Sequence, residues 1–202
     1  MGRLNELALK YGTDKSSNHH NYMDIYEKYF DKLKDNDLKI LEIGVARGRS
    51  LRTWEEYFTK AKIYGIDIKE KCEKYSTERI KIFIGKQNDI NLVNKVIDEV
   101  GELDIIIDDG SHTMIDQKGS CDKFFPFLKE GGIYIIEDLC TSYRRRNYNG
   151  GFRNVHTTIE FLKRMLDTLH YEIHGQCWDK FVDKIYSIHM YKRIAFIFKK
   201  RG

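Results

Sequence analysis

The chain has 202 residues, 41% hydrophobic and 33% charged. That is enough for one full core, and two ordinary domains would be cramped. Its 35 Lys and Arg against 31 Asp and Glu leave a formal net charge of +4. This argues against a dedicated duplex binder, which carries a strong basic excess. Aliphatic and aromatic residues throughout exclude disorder, and no apolar run approaches the roughly 20 residues that span a bilayer.

The first six residues, Met1 to Glu6, lack the apolar stretch of a signal peptide. None of the four cysteines, Cys72, Cys121, Cys140 and Cys177, forms a Cys-x-x-Cys pair. They are expected to be free thiols in a reducing cytoplasm, not ligands of structural zinc.

Residues 1–36 are polar and punctuated, with helical patches over Leu4–Leu9 and Tyr22–Leu33. They read as a helical leader, and residues 37–202 as the main domain. Lys39–Val45 is a short apolar run. A glycine turn follows, then Leu51, Trp54, Tyr57 and Phe58 at helical spacing: strand, turn, helix. Lys62–Ile68 and Ile80–Gly85 predict two further strands. Ile90–Val100 predicts a helix, with Asp89 as its N-cap.

Leu103–Gly110 predicts the fourth strand and Met114–Leu128 a helix. Gly131-Gly132 is expected to end that helix and start a fifth strand over Ile133–Asp138. A loop rich in Arg, Asn, Tyr and Gly precedes a helix near His156–Leu169. Ile185–Lys199 reads as two β runs meeting around Lys192-Arg193. Continuous apolar strands alternating with helices predict an α/β fold, a doubly wound and mostly parallel sheet with a C-terminal antiparallel hairpin. In that architecture ligands bind at the carboxyl ends of the strands.

Chemistry-bearing residues gather at those ends. Glu42-Ile43-Gly44-Val45-Ala46-Arg47-Gly48 joins the first strand to its helix without the middle glycine of a dinucleotide fingerprint. A diphosphate would be repelled by Glu42, whereas the cationic S-adenosylmethionine would not. Asp67 ends the second strand, as an acidic residue holding ribose hydroxyls should. Gln87, Asn88 and Asp89 follow the third strand, where they can meet adenine.

Two neighbouring strand ends carry acidic pairs, Asp108-Asp109 and Glu137-Asp138. Adjacent carboxylates there are costly unless a cation sits among them. Mg²⁺ suits an all-oxygen set, and Asp109, Glu137 and Asp138 can supply three ligands. His112, just past the turn, is placed to take a proton at neutral pH.

These motifs, with Lys-Tyr-Gly-Thr-Asp-Lys near the N-terminus and Gly-Gly-Ile-Tyr-Ile-Ile-Glu-Asp-Leu in the fifth strand, resemble the metal-dependent sugar O-methyltransferases. The likeness is to the mycinamicin-type macrolide and rhamnosyl enzymes, which are class I S-adenosylmethionine methyltransferases. It runs from about Leu7 to the C-terminus.

The resemblance implies Asp109, Glu137 and Asp138 as magnesium ligands, with His112 as general base and Asp109 also catalytic. It implies a cofactor site of Glu42, Gly44, Asp67, Gln87, Asp89 and Asp108. Tyr11, Thr13 and Lys15 would belong to a segment folding over the cofactor. The macrolide enzymes carry a sizeable N-terminal auxiliary domain, where here a short leader is expected.

The function so implied is methylation of a sugar hydroxyl in a surface-glycan or secondary-metabolite pathway. The acceptor is a small molecule or a glycan, nucleotide-linked or not, and a homo-oligomer is left open. A catechol-like diol acceptor and a nucleic-acid methyltransferase or binding module are the rival readings. Arg144-Arg145-Arg146 and the glycines after them form a basic loop, either solvated or closing over an anionic part of the acceptor. Trp54, Tyr57, Phe58, Trp178 and Phe181 are expected in the core.

Overall fold

The computed structural model describes residues 2–175, 181 and 183–202. Cys177 and Trp178 lie outside them. The chain divides into two compact units, Met1–Lys86 and Gln87–Gly202.

The first unit begins with helices α1 (Arg3–Tyr11) and α2 (Met23–Phe30). Strands β1 (Lys39–Ile43), β2 (Lys62–Asp67) and β3 (Ile80–Ile84) then run parallel, with β2 between the other two and α3 (Arg49–Tyr57) linking β1 to β2. The leader thus shares a compact unit with the first three strands. Trp54 and Phe58 are fully buried and Tyr57 nearly so. Trp54, Tyr26, Phe30 and Phe58 form one aromatic cluster with ring centroids 5.1–5.9 Å apart.

The second unit contains α4 (Ile90–Val100), β4 (Leu103–Asp108), α5 (Met114–Phe124), β5 (Leu128–Ile136), α6 (Thr158–Thr168), α7 (Tyr171–His174), β6 (Ile185–Tyr191) and β7 (Ile194–Lys199). Its strand order is β4-β5-β7-β6. The β4–β5 pair is parallel and the other two pairs are antiparallel. The hairpin turns at Lys192-Arg193 as expected, with Arg193 left-handed at φ 72°. Phe181 is buried against Phe125, ring centroids 4.8 Å apart.

The expected element order holds, with two boundary corrections. The helix expected over Met114–Leu128 stops at Phe124, because Pro126 enters a short 3₁₀ turn over Phe125–Phe127. The fifth strand then starts at Leu128, so Gly131-Gly132 lies inside it. The register slips there between Leu103 and Ile105 of the partner strand, which is how a strand absorbs glycines.

Cys72, Cys121 and Cys140 form no disulfide among the described residues. No helix among the described residues is long and apolar enough to cross a membrane.

Candidate active site

In the first unit the glycine turn leaves β1 with Gly44 at φ 99° and Gly48 at φ 67°. A Cβ on Gly48 would lie 2.7 Å from the Tyr75 ring, so only glycine fits there. Asp67 holds this turn: one carboxylate oxygen accepts the Val45 and Ala46 N–H groups at 3.1 and 2.9 Å, and the other accepts Lys69 N–H at 2.9 Å. Burial alone would raise the Asp67 carboxyl. The N–H groups of Ala46, Lys69 and Val45, with the Cys72 thiol, outweigh it and hold the group below the ordinary carboxylate value.

Glu42 is fully buried and does not open onto solvent. Its carboxylate accepts Trp54 Nε1–H at 2.9 Å and lies 3.6 Å from Lys15 Nζ, itself 1% exposed. Thr13 is also buried, its hydroxyl accepting Lys15 N–H at 3.4 Å. Tyr11 donates its hydroxyl to Glu56. Arg49 pins the segment to the start of α3 by donating to the Gly12 carbonyl at 2.7 Å. Ile68, beside Asp67, is 59% exposed.

In the second unit Asp108 is fully buried. It accepts from Gln87 Nε2 and Tyr134 OH, both at 3.3 Å, and from Gly110 N–H at 3.4 Å. Burial first, with the neighbouring Asp109 charge adding, pushes its carboxyl up to about 7 against those donors. Gln87 also donates to Ser120 Oγ at 2.8 Å and accepts Ser111 N–H at 2.9 Å, so its amide braces the turn after β4. Asp89 accepts Asn91 N–H at 2.9 Å and caps α4 as expected.

The acidic strand ends converge on His112. Its Nε2 is 3.7 Å from an Asp109 oxygen and 3.7 Å from an Asp138 oxygen. One ligand atom from each of Asp109, His112 and Asp138 lies within 4.8 Å of the others. All three side chains are about one-fifth exposed, at 22%, 20% and 21%. His112 Nδ1 is buried without a hydrogen-bond partner. His112 and Asp138 both adopt the left-handed conformation, φ 55° and 53°. Non-glycine residues held there carry strain of the kind that clusters at functional sites.

Glu137, an expected ligand, is 1% exposed and falls outside that group. Its N–H donates to the Asp108 carbonyl at 3.0 Å, continuing the β4–β5 ladder. Gln117, buried on α5, donates to the Glu137 carbonyl at 2.8 Å and accepts Thr158 Oγ1–H at 2.8 Å. Sequence reading missed Gln117. The available signal was a polar residue on the apolar face of a helix.

No protein-family model matches the chain. It is 34% identical to the 8-demethyl-8-alpha-L-rhamnosyl tetracenomycin-C 2'-O-methyltransferase of Streptomyces olivaceus over 208 residues, 96% of this chain and 54% of that protein. The chain is thus similar to sugar O-methyltransferases. It is also 32% identical to the mycinamicin VI 2''-O-methyltransferase of Micromonospora griseorubida, over 98% of this chain and 53% of that protein. A solved structure of the mycinamicin-pathway methyltransferase MycE, in complex with Mg, SAH and mycinamycin VI, aligns with 99% of this chain and 55% of its own. The TM-score is 0.89 at 31% identity.

The chain therefore spans about half the length of the curated relatives it matches. The structural match establishes the doubly wound, mostly parallel class I methyltransferase fold.

Proposed function

We propose that the protein is an S-adenosylmethionine- and Mg²⁺-dependent O-methyltransferase acting on a sugar hydroxyl, in a surface-glycan or secondary-metabolite pathway. The carrying observation is the convergence of Asp109, His112 and Asp138 at two adjacent strand ends. Cysteines outside any disulfide, at Cys72, Cys121 and Cys140, suit a reducing cytoplasm.

The donor set fits a hard cation: Asp109 and Asp138 offer oxygen atoms to one point, and Glu137 is the third ligand we assign. When bound, the cation would make a coordinated alcohol more acidic, and S-adenosylmethionine would offer an electrophilic methyl carbon. Asp109 and Asp138 orient the acceptor hydroxyl beside the imidazole. His112 would take the hydroxyl proton as that oxygen is methylated. No covalent intermediate on the chain is needed, so Cys72, Cys121 and Cys140 have no part in it. Most of the rate then comes from alignment.

We assign the cofactor to the glycine turn and its neighbours. Gly44 allows close backbone approach, and Asp67 fixes the turn while offering its remaining acceptor capacity to ribose. Glu42 and Lys15 act from beneath, as a buried pair that sets where the turn and the 11–15 segment lie. On the resemblance we also assign Gln87, Asp89 and Asp108 to the adenine; within the second unit Gln87 and Asp108 brace the turn after β4 and Asp89 caps α4. Tyr11 and Thr13 form part of the lid over the cofactor. We place residues 1–36 as the lid-bearing leader and 37–202 as the catalytic domain.

The test is thermal stabilisation by S-adenosylhomocysteine with and without Mg²⁺, followed by methyl transfer to a panel of sugars read by mass spectrometry. Stabilisation plus a chelator-sensitive mass gain of one methyl group supports the reading. No stabilisation by the cofactor product overturns it.

A further inference from the structure

The chain from Leu139 to Thr157 contains four arginines, Arg144, Arg145, Arg146 and Arg153, and no Asp or Glu. All four are exposed, and none forms an ion pair with a carboxylate among the described residues. A solvated loop of this charge would be expected to spread.

This one is held closed by three backbone rungs. Gly151 N–H donates to the Ser142 carbonyl at 2.7 Å, Gly150 N–H to Arg144 at 2.9 Å, and Asn149 N–H to Arg145 at 3.2 Å. A Cβ on Gly150 would sit 2.4 Å from the Thr141 carbonyl oxygen, so the closure depends on glycine. Asn147, Asn149 and Arg153 are left-handed, at φ 70°, 56° and 58°. Three of the arginines are consecutive, so this closed and strained turn gathers like charge that an anion would offset.

The loop also bears exposed rings. Tyr143 is 54% exposed and Phe152 75% exposed, and they flank the rung between Ser142 and Gly151. The Arg153 guanidinium lies 5.3 Å from the Phe152 ring centroid. Arginine forks bind phosphate oxygens in pairs, and exposed rings offer stacking faces to a base.

The loop is anchored to the acidic strand ends. Thr141 donates its N–H and its hydroxyl to the Asp138 carbonyl, each at 2.9 Å. The Tyr148 carbonyl accepts Met114 N–H at 3.3 Å, two residues beyond His112. The loop backbone is therefore tied to both segments that carry Asp138 and His112.

We propose that Tyr143–Arg153 is the docking site for the diphosphate and base of a nucleoside-diphosphate sugar, with Arg144, Arg145 and Arg146 on the diphosphate and Phe152 stacked on the base. This rests on the methyltransferase reading and names its acceptor class: the sugar is methylated before a glycosyltransferase consumes it.

The test is calorimetric titration of the full chain with inorganic pyrophosphate, UDP, GDP, CDP and dTDP, with S-adenosylhomocysteine titrated in parallel. At least one nucleoside diphosphate should bind about tenfold or more tightly than pyrophosphate, the order of one stacked base. The triple variant Arg144→Ala, Arg145→Ala, Arg146→Ala should lose about tenfold or more in diphosphate affinity and keep its S-adenosylhomocysteine affinity. Phe152→Ala should bring the nucleotide down to the affinity of pyrophosphate. A triple variant of exposed lysines in the first unit, Lys32→Ala, Lys60→Ala, Lys62→Ala, should leave both affinities unchanged.

No diphosphate binding, binding indifferent to the arginines, or an RNA oligonucleotide bound more tightly than any nucleoside diphosphate each overturns the proposal. If S-adenosylhomocysteine still binds in that case, the methyltransferase reading stands. If S-adenosylhomocysteine does not bind, that reading falls first.

Discussion

Lys15 Nζ stands 3.6 Å from Glu42 Oε1, and the two side chains are 1% and 0% exposed. The pair ties the segment after α1 to the strand that leads into the glycine turn. Removing one partner leaves a buried charge, and such changes cost about 3–5 kcal/mol. Lys15→Met and Glu42→Gln should each lower the urea midpoint strongly, Lys15→Met the more. The double variant should recover much of the loss. Urea unfolding followed by circular dichroism measures all three, and additive losses would show that the pair does not act as a unit.

His112→Asn separates chemistry from folding. Asparagine tolerates the left-handed backbone that His112 adopts, so the variant should melt within a few degrees of the parent. Its turnover should fall by about 100-fold or more, the scale of a lost general base. Binding of S-adenosylhomocysteine should be unchanged. Turnover within a few fold of the parent at neutral pH would remove His112 from the base role.

The three assigned metal ligands are testable one at a time. Asp109→Asn and Asp138→Asn should each weaken Mn²⁺ binding, read by electron paramagnetic resonance, by about tenfold or more, since each deletes a hard anionic donor. Glu137→Gln is the informative member, because its carboxylate lies outside the group formed by Asp109, His112 and Asp138. A loss equal to the others makes it a ligand. Unchanged Mn²⁺ affinity makes it a buried support.

Asp67 predicts an acid limb. Its folded-state pKa is depressed by the backbone N–H groups it accepts. The unfolded chain therefore binds the proton more readily. The stability it contributes is present above the unfolded carboxylate value of about 4 and is lost as pH falls through the lower, folded value. Asp67→Asn should be less stable than the parent at pH 6, and the gap should close below about pH 4. Urea midpoints across that range measure it. A gap constant down to pH 3 would mean that the carboxylate charge is not what holds the turn.

Much of this was legible in the sequence because the signals were local. Continuous apolar runs ending in Glu42-Ile43-Gly44, Asp67, Asp108-Asp109 and Glu137-Asp138 marked the strands and the candidate ligands at their ends. Asp89 as a cap followed from its position before Ile90. What was not legible depended on three-dimensional company. Pro126 shortened α5, and a register slip drew Gly131-Gly132 into β5. Nothing in the spacing distinguished Gln87 as a brace from Gln87 as a ligand contact. The burial of Glu42 beneath Trp54 and Lys15 likewise required knowing what packs above a strand end.

The Gln117 amide grips the Glu137 carbonyl with one end and the Thr158 hydroxyl with the other. It thereby fixes the residues that flank the arginine loop on both sides, independently of what the loop's tip contains. The side chains at Arg144, Arg145 and Arg146 can be exchanged while the floor beneath them stays in register. A scaffold with that division of labour can change its customer without relearning its chemistry.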